Sequence, residues 1–197
     1  MVIGSLALAF ILQSATGNAV DYFPLDPGDR WVYTRDKDGA MDEVTYTVEK
    51  PDKVGKVLAS PLLMEESGRS TTLYYVAEPD TVWLLGVDRD NPYSRPHAVL
   101  KVGGTWNGDY MDRDPVNVDN SAKSLGKKNV LGQTREVLEV TTKLTFGNTK
   151  EKLVILQHAE YAKGLGLIRF EMEQKLDRNK QHMLLTLKSF DSGTKEK

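Results

Sequence analysis

The stretch LEVTTKLTF, residues 138–146, decides the fold class of this 197-residue chain. Leucine, valine, threonine, leucine and phenylalanine occupy every second position, and the residues between them are charged or carry hydroxyl groups. Successive side chains of a strand point to opposite faces, so this alternation predicts a strand with one buried face and one hydrated face. Such strands are typical of antiparallel sheets, because parallel sheets are covered on both faces.

The same period of two recurs at residues 44–48, 168–172 and 183–187, whereas no long segment after Ala19 has helical apolar spacing. TTLYYVAE and DTVWLLGVD are separated by one proline, and the Pro79-Asp80 turn predicts a hairpin. Further turns are indicated by Gly, Asn, Asp and Ser clusters, at residues 36–39, 66–69, 88–92 and 146–148. At ordinary strand lengths, we expect about ten strands.

These patterns predict an all-β fold: a single antiparallel domain over residues 20–190, either a two-layer sandwich or a curved half-barrel, with little helix. Residues 109–124 show the weakest alternation of apolar and polar side chains, and we expect a surface loop or sheet crossing there. Residues 191–197 are expected to form a frayed tail.

The first residues predict export. Residues 2–12, VIGSLALAFIL, are uncharged and apolar over the length of a signal-peptide core, and Gly17 and Ala19 occupy positions −3 and −1 of a cleavage site. No Lys or Arg precedes the run, and the alternative is a buried strand or helix of the mature fold. The run is shorter than the ~20 residues that span a bilayer. We therefore predict a signal peptide over residues 1–19 and a periplasmic, cell-surface or extracellular protein that does not span the membrane after processing.

Composition excludes several classes of protein. The chain has no Cys, so disulfides, thiol catalysis, zinc–thiolate sites and a lipid-modified cysteine are ruled out. The formal net charge is −2, from 26 basic and 28 acidic residues, which argues against a nucleic-acid partner.

A short motif occurs twice. Leu25-x-x-Gly28-x-x-Trp31 recurs as Leu100-x-x-Gly103-x-x-Trp106. Each glycine would turn the chain before a tryptophan that enters a strand. Three matching positions arise by chance or by duplication, and a duplication would give two related β units in one body.

Two segments near the ends of the mature chain resemble a known group of proteins. Residues 23–33 match Phe-Pro-Leu-x-x-Gly-x-x-Trp-x-Tyr, and residues 161–168 match Tyr-Ala-x-Gly-x-Gly-Leu-Val, with Leu165 and Ile168 at positions that usually carry valine. The chain is in this respect similar to uncharacterised exported bacterial proteins, which often carry a second Leu-x-x-Gly-x-x-Trp between these motifs. The resemblance implies export and a β-rich, curved-sheet fold, and it transfers no catalytic residue.

No pattern predicts a catalytic or metal site. His97, His158 and His182 are too far apart in sequence for a local zinc motif. The acidic segments 88–91 and 112–120 carry oxygen ligands of the kind calcium takes but lack its loop spacing, so turns are the favoured interpretation. Gly164-Leu165-Gly166 precedes an alternating segment, which favours a tight turn over a phosphate loop.

No nucleophile elbow is present, and the adjacent Glu65 and Glu66 would point to opposite faces of a strand. We predict no catalytic residues, no metal ligands and no cofactor, and we assign no binding residues. Eight aromatic residues at strand positions would fill the core or line a concave pocket: Tyr22, Phe23, Trp31, Tyr33, Tyr74, Tyr75, Trp83 and Trp106.

The leading hypothesis is an envelope or secreted binding protein, rather than an enzyme, whose partner is an apolar ligand or an envelope polypeptide. One alternative is an extracellular hydrolase with carboxylates assembled across strands. The other is a structural component that assembles through its sheet edges.

Overall fold

The computed structural model describes residues 17–108, 117–147, 152–176 and 179–193. Within these ranges the chain forms one short helix and thirteen strands. Their bounds are α1 Ala19–Tyr22, β1 Arg30–Lys37, β2 Ala40–Val48, β3 Asp52–Val54, β4 Val57–Glu66, β5 Arg69–Ala77, β6 Thr81–Gly86, β7 His97–Lys101, β8 Gly104–Gly108, β9 Asn117–Val130, β10 Gln133–Gly147, β11 Lys152–Ala162, β12 Gly166–Leu176 and β13 Asn179–Asp191.

Twelve of these strands form one continuous antiparallel sheet in the order β7-β6-β5-β4-β2-β1-β13-β12-β11-β10-β9-β8, and β3 pairs only with β4. The order describes two six-stranded meanders, one ending at β7 and the other beginning at β8. They are joined where β1 pairs with β13, with Trp31 opposite Phe190. At the far edges Trp106 Nε1 donates to the carbonyl oxygen of Ala98 at 3.4 Å, so β8 and β7 approach each other and the sheet is barrel-like.

The all-β, antiparallel prediction is confirmed. Of the two expected architectures, the sandwich and the curved half-barrel, the structure has the curved single sheet. The β5–β6 hairpin is also confirmed, with Ala77 opposite Val82. The chain forms more strands than the ten expected. The loop expected over residues 109–124 is wrong for 117–124, which belong to β9, while 109–116 lie outside the described residues. Asn120 is a polar residue at an inward-facing position of β9, and it interrupts the apolar alternation that would have predicted the strand. It is accommodated in the core because its amide oxygen accepts a hydrogen bond from Thr142 Oγ1 at 2.7 Å.

Each repeated motif leads into the first strand of a meander. Gly28 has φ +93° before β1, and Gly103 has φ +84° before β8. Both values lie in the left-handed region that glycine adopts without a steric penalty. The two motifs therefore have equivalent places in the two halves of the sheet.

The N-terminal segment closes one end of the barrel-like sheet. The N–H of Ala19 donates to the Pro79 carbonyl at 2.6 Å, and the N–H of Gly164 donates to the Asp21 carbonyl at the same distance. Lys163 Nζ also lies 3.4 Å from Asp21 Oδ2. At this end the predicted tight turn is confirmed, because the N–H of Leu165 donates to Ala162 O at 3.0 Å between β11 and β12.

A buried hydrogen bond fixes the position of this turn against β1. Trp31 Nε1 donates to the Leu165 carbonyl at 2.6 Å. Gly166 has φ +88°, and a Cβ placed on it would lie 3.4 Å from both Trp31 Nε1 and Pro24 Cδ. A side chain at this position would therefore be strained by its backbone and crowded by the indole.

Replacing Trp31 with phenylalanine should lower the free energy of unfolding by about 1–3 kcal/mol, because it leaves the Leu165 carbonyl buried without its donor. The measurement is urea denaturation followed by circular dichroism. Trp83→Phe is the matched control, since Trp83 Nε1 donates to Glu78 Oε2 at an exposed site. Equal losses in the two variants would contradict the importance of the Trp31 bond.

Candidate functional site

The inner face of the sheet encloses a cavity of about 240 Å³. Nine strands (β1, β2, β4, β5, β7 and β10–β13) contribute side chains to its wall, and Phe23 and Pro24 complete it. Most of these side chains are aliphatic or aromatic, and the described part of the wall includes no Asp, Glu, Lys or Arg. The sheet thus surrounds a partly open, mainly apolar space, which is the usual chemistry of a small-molecule site.

Four tyrosines contribute hydroxyls to this wall, in addition to the polar side chains of His97, Thr142 and Gln157: Tyr33 on β1, Tyr46 on β2, Tyr75 on β5 and Tyr161 on β11. The rings of Tyr33 and Tyr46 lie 5.1 Å apart. Tyr33 donates its hydroxyl to the Leu167 carbonyl at 2.9 Å. Among the described residues, the hydroxyls of the other three have no hydrogen-bonding partner.

Burial raises the pKa of all four phenols. The pKa of Tyr46 rises to about 12, and the pKa values of Tyr33, Tyr75 and Tyr161 are also raised. At the last three, neighbouring phenols add to the effect of burial, because the charge of one phenolate would repel another across the low-dielectric cavity. All four side chains therefore remain neutral hydrogen-bond donors at physiological pH.

Backbone irregularities lie opposite three of the four tyrosines. The register shifts where Tyr33, Tyr75 and Tyr161 pair with β13, β6 and β12, and the partner strand carries the extra residue each time: Lys188, Leu85 and Ile168. A β-bulge increases the local twist of its strand. These bulges therefore curve the sheet beside the tyrosines, whose own strands keep a regular register with β2, β4 and β10.

Phe23 forms the closed end of the cavity. Its ring lies 5.0 Å from that of Tyr75 and 6.0 Å from that of Tyr161, measured between centroids. Tilted contacts of this kind are favourable for aromatic pairs. Through Phe23, Trp31 and Tyr33, the first sequence motif contacts Tyr161, Leu165 and Leu167 of the second motif.

An ion-paired cluster of Arg35, Asp42 and Glu66, here called the mouth cluster, follows the tyrosines on the inner face. Arg35 is two residues beyond Tyr33 on β1, so it points to the same face, toward the hairpin end. Its Nε donates to Asp42 Oδ1 at 2.8 Å, and its Nη1 pairs with Glu66. Hydrogen bonding from Arg35 lowers the pKa of Asp42, and both partners raise the pKa of Arg35.

The histidines lie on different faces. His97 is buried and lines the cavity, whereas His158 and His182 lie on the outer face of β11 and β13. His182 Nε2 lies 3.1 Å from Glu171 Oε1, and this contact lowers the pKa of Glu171. Within residues 17–108, 117–147, 152–176 and 179–193, no three His, Asp or Glu side chains are placed to hold a metal ion.

The acidic segment 88–91 forms a turn, as expected. The N–H of Asp90 donates to Asp88 Oδ1 at 3.0 Å, and Arg89 pairs with Asp52 at 3.2 Å. In the second acidic segment, residues 112–116 lie outside the described part, while Asn117, Asp119 and Asn120 belong to β9.

The adjacent glutamates of β4 point to opposite faces, as expected. Glu66 belongs to the mouth cluster, and Glu65 is exposed on the opposite face of β4.

The eight aromatic residues noted in the sequence were expected either to fill the core or to line a pocket, and the structure contains examples of both. Phe23, Trp31, Tyr33 and Tyr75 line the cavity, and they are at the same time part of the hydrophobic core. Tyr22 and Trp106 also pack into this core, while Tyr74 and Trp83 cover a small cluster on the outer face under β3. Three further lining aromatics were not singled out from the sequence as pocket candidates: Tyr46, Tyr161 and Phe170. Their positions on the inward face of alternating strands are the signal that could have identified them.

Comparison with known proteins gives two structures of similar architecture. One is a candidate lipoprotein from Parabacteroides distasonis, with a TM-score of 0.46 and 14% identity over 86% of this chain and 98% of that chain. The other is a candidate exported protein with a YmcC-like fold from Bacteroides fragilis, with a TM-score of 0.47 and 10% identity over 87% and 99%. Neither likeness is close enough to bear on function. No family model matches the chain, and no curated protein matches it.

The mouth cluster makes stability depend on pH in the acid range. Asp42 has a lowered pKa in the folded protein, so the unfolded chain takes up its proton first as the pH falls below the ordinary value of 3.8. The stabilisation is therefore present at neutral pH and is lost as the pH falls through 3.8 and then through the lowered pKa of the folded state. Asp42→Asn should destabilise the protein at neutral pH, and its difference from wild type should shrink on acidification in urea titrations.

Glu65→Gln is the matched control for Asp42→Asn, because Glu65 is exposed on the nearby β4. Its difference from wild type should be small throughout the same range. A wild-type advantage over Asp42→Asn that stays constant down to pH 2 would contradict the ion-pair explanation.

Proposed function

We propose that this protein is an exported binding protein whose cavity holds a small apolar ligand. The single observation that carries the proposal is the cavity of about 240 Å³ inside the curved sheet, walled by uncharged side chains from nine strands. Its size is just below the roughly 300–1,000 Å³ that is common for drug-sized ligands. An occupant of this size has a single hydrocarbon chain or a small ring system.

The chemistry of the wall supports a binding role. The space is partly open and its wall is mainly apolar, so apolar side chains face solvent inside it. A ligand that fills the space stabilises the protein, because apolar surface on both sides leaves water and gains packing contacts.

Ala159 offers a direct test, because its small side chain lines the cavity at the centre of β11. Ala159→Phe should weaken the binding of a fluorescent apolar probe, such as phenylnaphthylamine, by roughly tenfold or more. Its stability in urea should be unchanged or higher, because the ring enters existing space. Overpacking a filled core would instead lower stability by about 1–3 kcal/mol.

Thr186→Phe is the control for this substitution. Thr186 is exposed on β13 next to the lining residue Leu185, so the same ring is added to the outer face. Probe binding should be unaffected. If wild-type protein purified without detergent binds no apolar probe and releases no lipid on extraction, the proposed ligand-binding function is wrong.

Export is the second part of the proposal, and it rests on the apolar run at residues 2–12 and on the resemblance of the two motifs to exported proteins. Within the described residues, no helix is long and apolar enough to cross a bilayer. We expect the processed chain to begin at Val20.

Intact-mass analysis of the chain recovered from the extracytoplasmic fraction of a bacterial host tests this expectation. A mass beginning at Val20 supports both export and the site, and a full-length product confined to the cytoplasm contradicts export. A start at Asn18 would support export and move the site by two residues. That start would retain Ala19, which is fully buried and bonded to Pro79.

A further inference from the structure

Three tyrosine hydroxyls of the cavity wall, those of Tyr46, Tyr75 and Tyr161, have no acceptor among the described residues. Tyr75 and Tyr161 are the more deeply buried pair, and each side chain is only 7% exposed. Because these hydroxyls border the cavity without a protein acceptor, an occupant that brings an acceptor can bond to both of them.

The two hydroxyls are positioned by strand alternation and by packing. Tyr75 and Tyr161 each lie opposite a β-bulge of the neighbouring strand, and both rings pack beside Phe23. Phenylalanine at either position would supply the same apolar surface without an unsatisfied donor. The arrangement therefore points to recognition of a polar group deep in the cavity rather than to core packing alone.

The charge of the wall limits what this polar group can be. The described lining includes no Lys or Arg, its one imidazole, His97, already interacts with another group, and burial keeps the phenols neutral by raising the pKa of each. A carboxylate or phosphate beside Tyr75 and Tyr161 would lose its hydration without a Lys or Arg as counter-charge. An uncharged acceptor, such as the carbonyl of an ester or amide, loses less hydration and can take both donors, one on each lone pair.

We infer that the cavity binds a single-chain hydrocarbon compound with an uncharged carbonyl group, an ester or amide, which accepts hydrogen bonds from Tyr75 and Tyr161. This inference rests on the proposed ligand-binding function and specifies its ligand class. The carbonyl lies near Phe23, and the hydrocarbon chain contacts the apolar wall formed by β10–β13.

Three compounds of equal chain length separate this inference from the proposed function: methyl decanoate, decane and the decanoate ion. Their binding to the full chain is measured by displacement of an apolar fluorescent probe. Tyr75→Phe and Tyr161→Phe should each weaken methyl decanoate binding roughly three- to tenfold, the value of one hydrogen bond, and leave decane binding unchanged. Decanoate should compete better at pH 4 than at pH 8, since only its protonated form is uncharged.

Tyr74→Phe is the matched control, because it removes a hydroxyl from the adjacent residue on the outer face of β5. It should change the binding of none of the three compounds. Circular dichroism of each variant establishes that it is folded.

Infrared spectroscopy gives a second readout that does not depend on affinity. The ester carbonyl band of bound methyl decanoate should lie at lower wavenumber than in hexane and should return toward the hexane value in the double phenylalanine variant. Methyl decanoate binding that is insensitive to both variants, with an unshifted band, would overturn the carbonyl assignment and leave apolar binding intact. Failure of all three compounds to bind would overturn the proposed function itself.

Discussion

The pairing of β1 with β13 is the constraint on which the rest of the structure depends. It is the one ladder in the described sheet that joins the two six-stranded meanders, and it brings residues from the two ends of the chain into register. Through it, Trp31 reaches the Leu165 carbonyl and Tyr33 reaches the Leu167 carbonyl. Gly193 adds to the same junction, because its N–H donates to Asp29 Oδ1 at 2.9 Å. Contacts so distant in sequence are entropically costly to form, so the buried hydrogen bonds and aromatic packing at this junction must offset that cost.

Once the two meanders are joined, curvature determines the interior. This twelve-stranded antiparallel sheet buries its apolar face by curving around itself, and the bulges opposite Tyr33, Tyr75 and Tyr161, on β13, β6 and β12, increase the twist that makes this possible. The large rings on the concave side then meet before the backbones can approach closely. A cavity remains between them, and Phe23 lies at its end. The bulges thus add curvature beside the tyrosines, while regular alternation of the tyrosines' own strands sets the direction of their rings.

A sequence pattern predicts structure well where it depends on neighbouring residues and poorly where it depends on residues far apart in the chain. Alternation over residues 138–146 reports a local property, the two faces of one strand, so it identified the strands and the antiparallel class correctly. The Pro79-Asp80 hairpin was equally local. Strand pairing across the whole chain, as between Trp31 and Phe190, has no local signal. Both faces of β5 carry large apolar side chains, so alternation could not say that Tyr75 faces the cavity while Tyr74 faces outward. A buried asparagine interrupts the apolar alternation, so the sequence could not say that Asn120 lies in a strand with its amide bonded in the core.

Charge is separated along the inner face. Charged side chains of this face lie in the mouth cluster, where Arg35 is held between Asp42 and Glu66, and none contributes to the described cavity wall. Lys37 also interacts with Asp42, so two carboxylates are matched by two cations and ion pairing holds this part of the sheet together. The cavity wall is mainly apolar, so in the proposed function apolar contact supplies the affinity and the tyrosine hydroxyls add specificity for an acceptor.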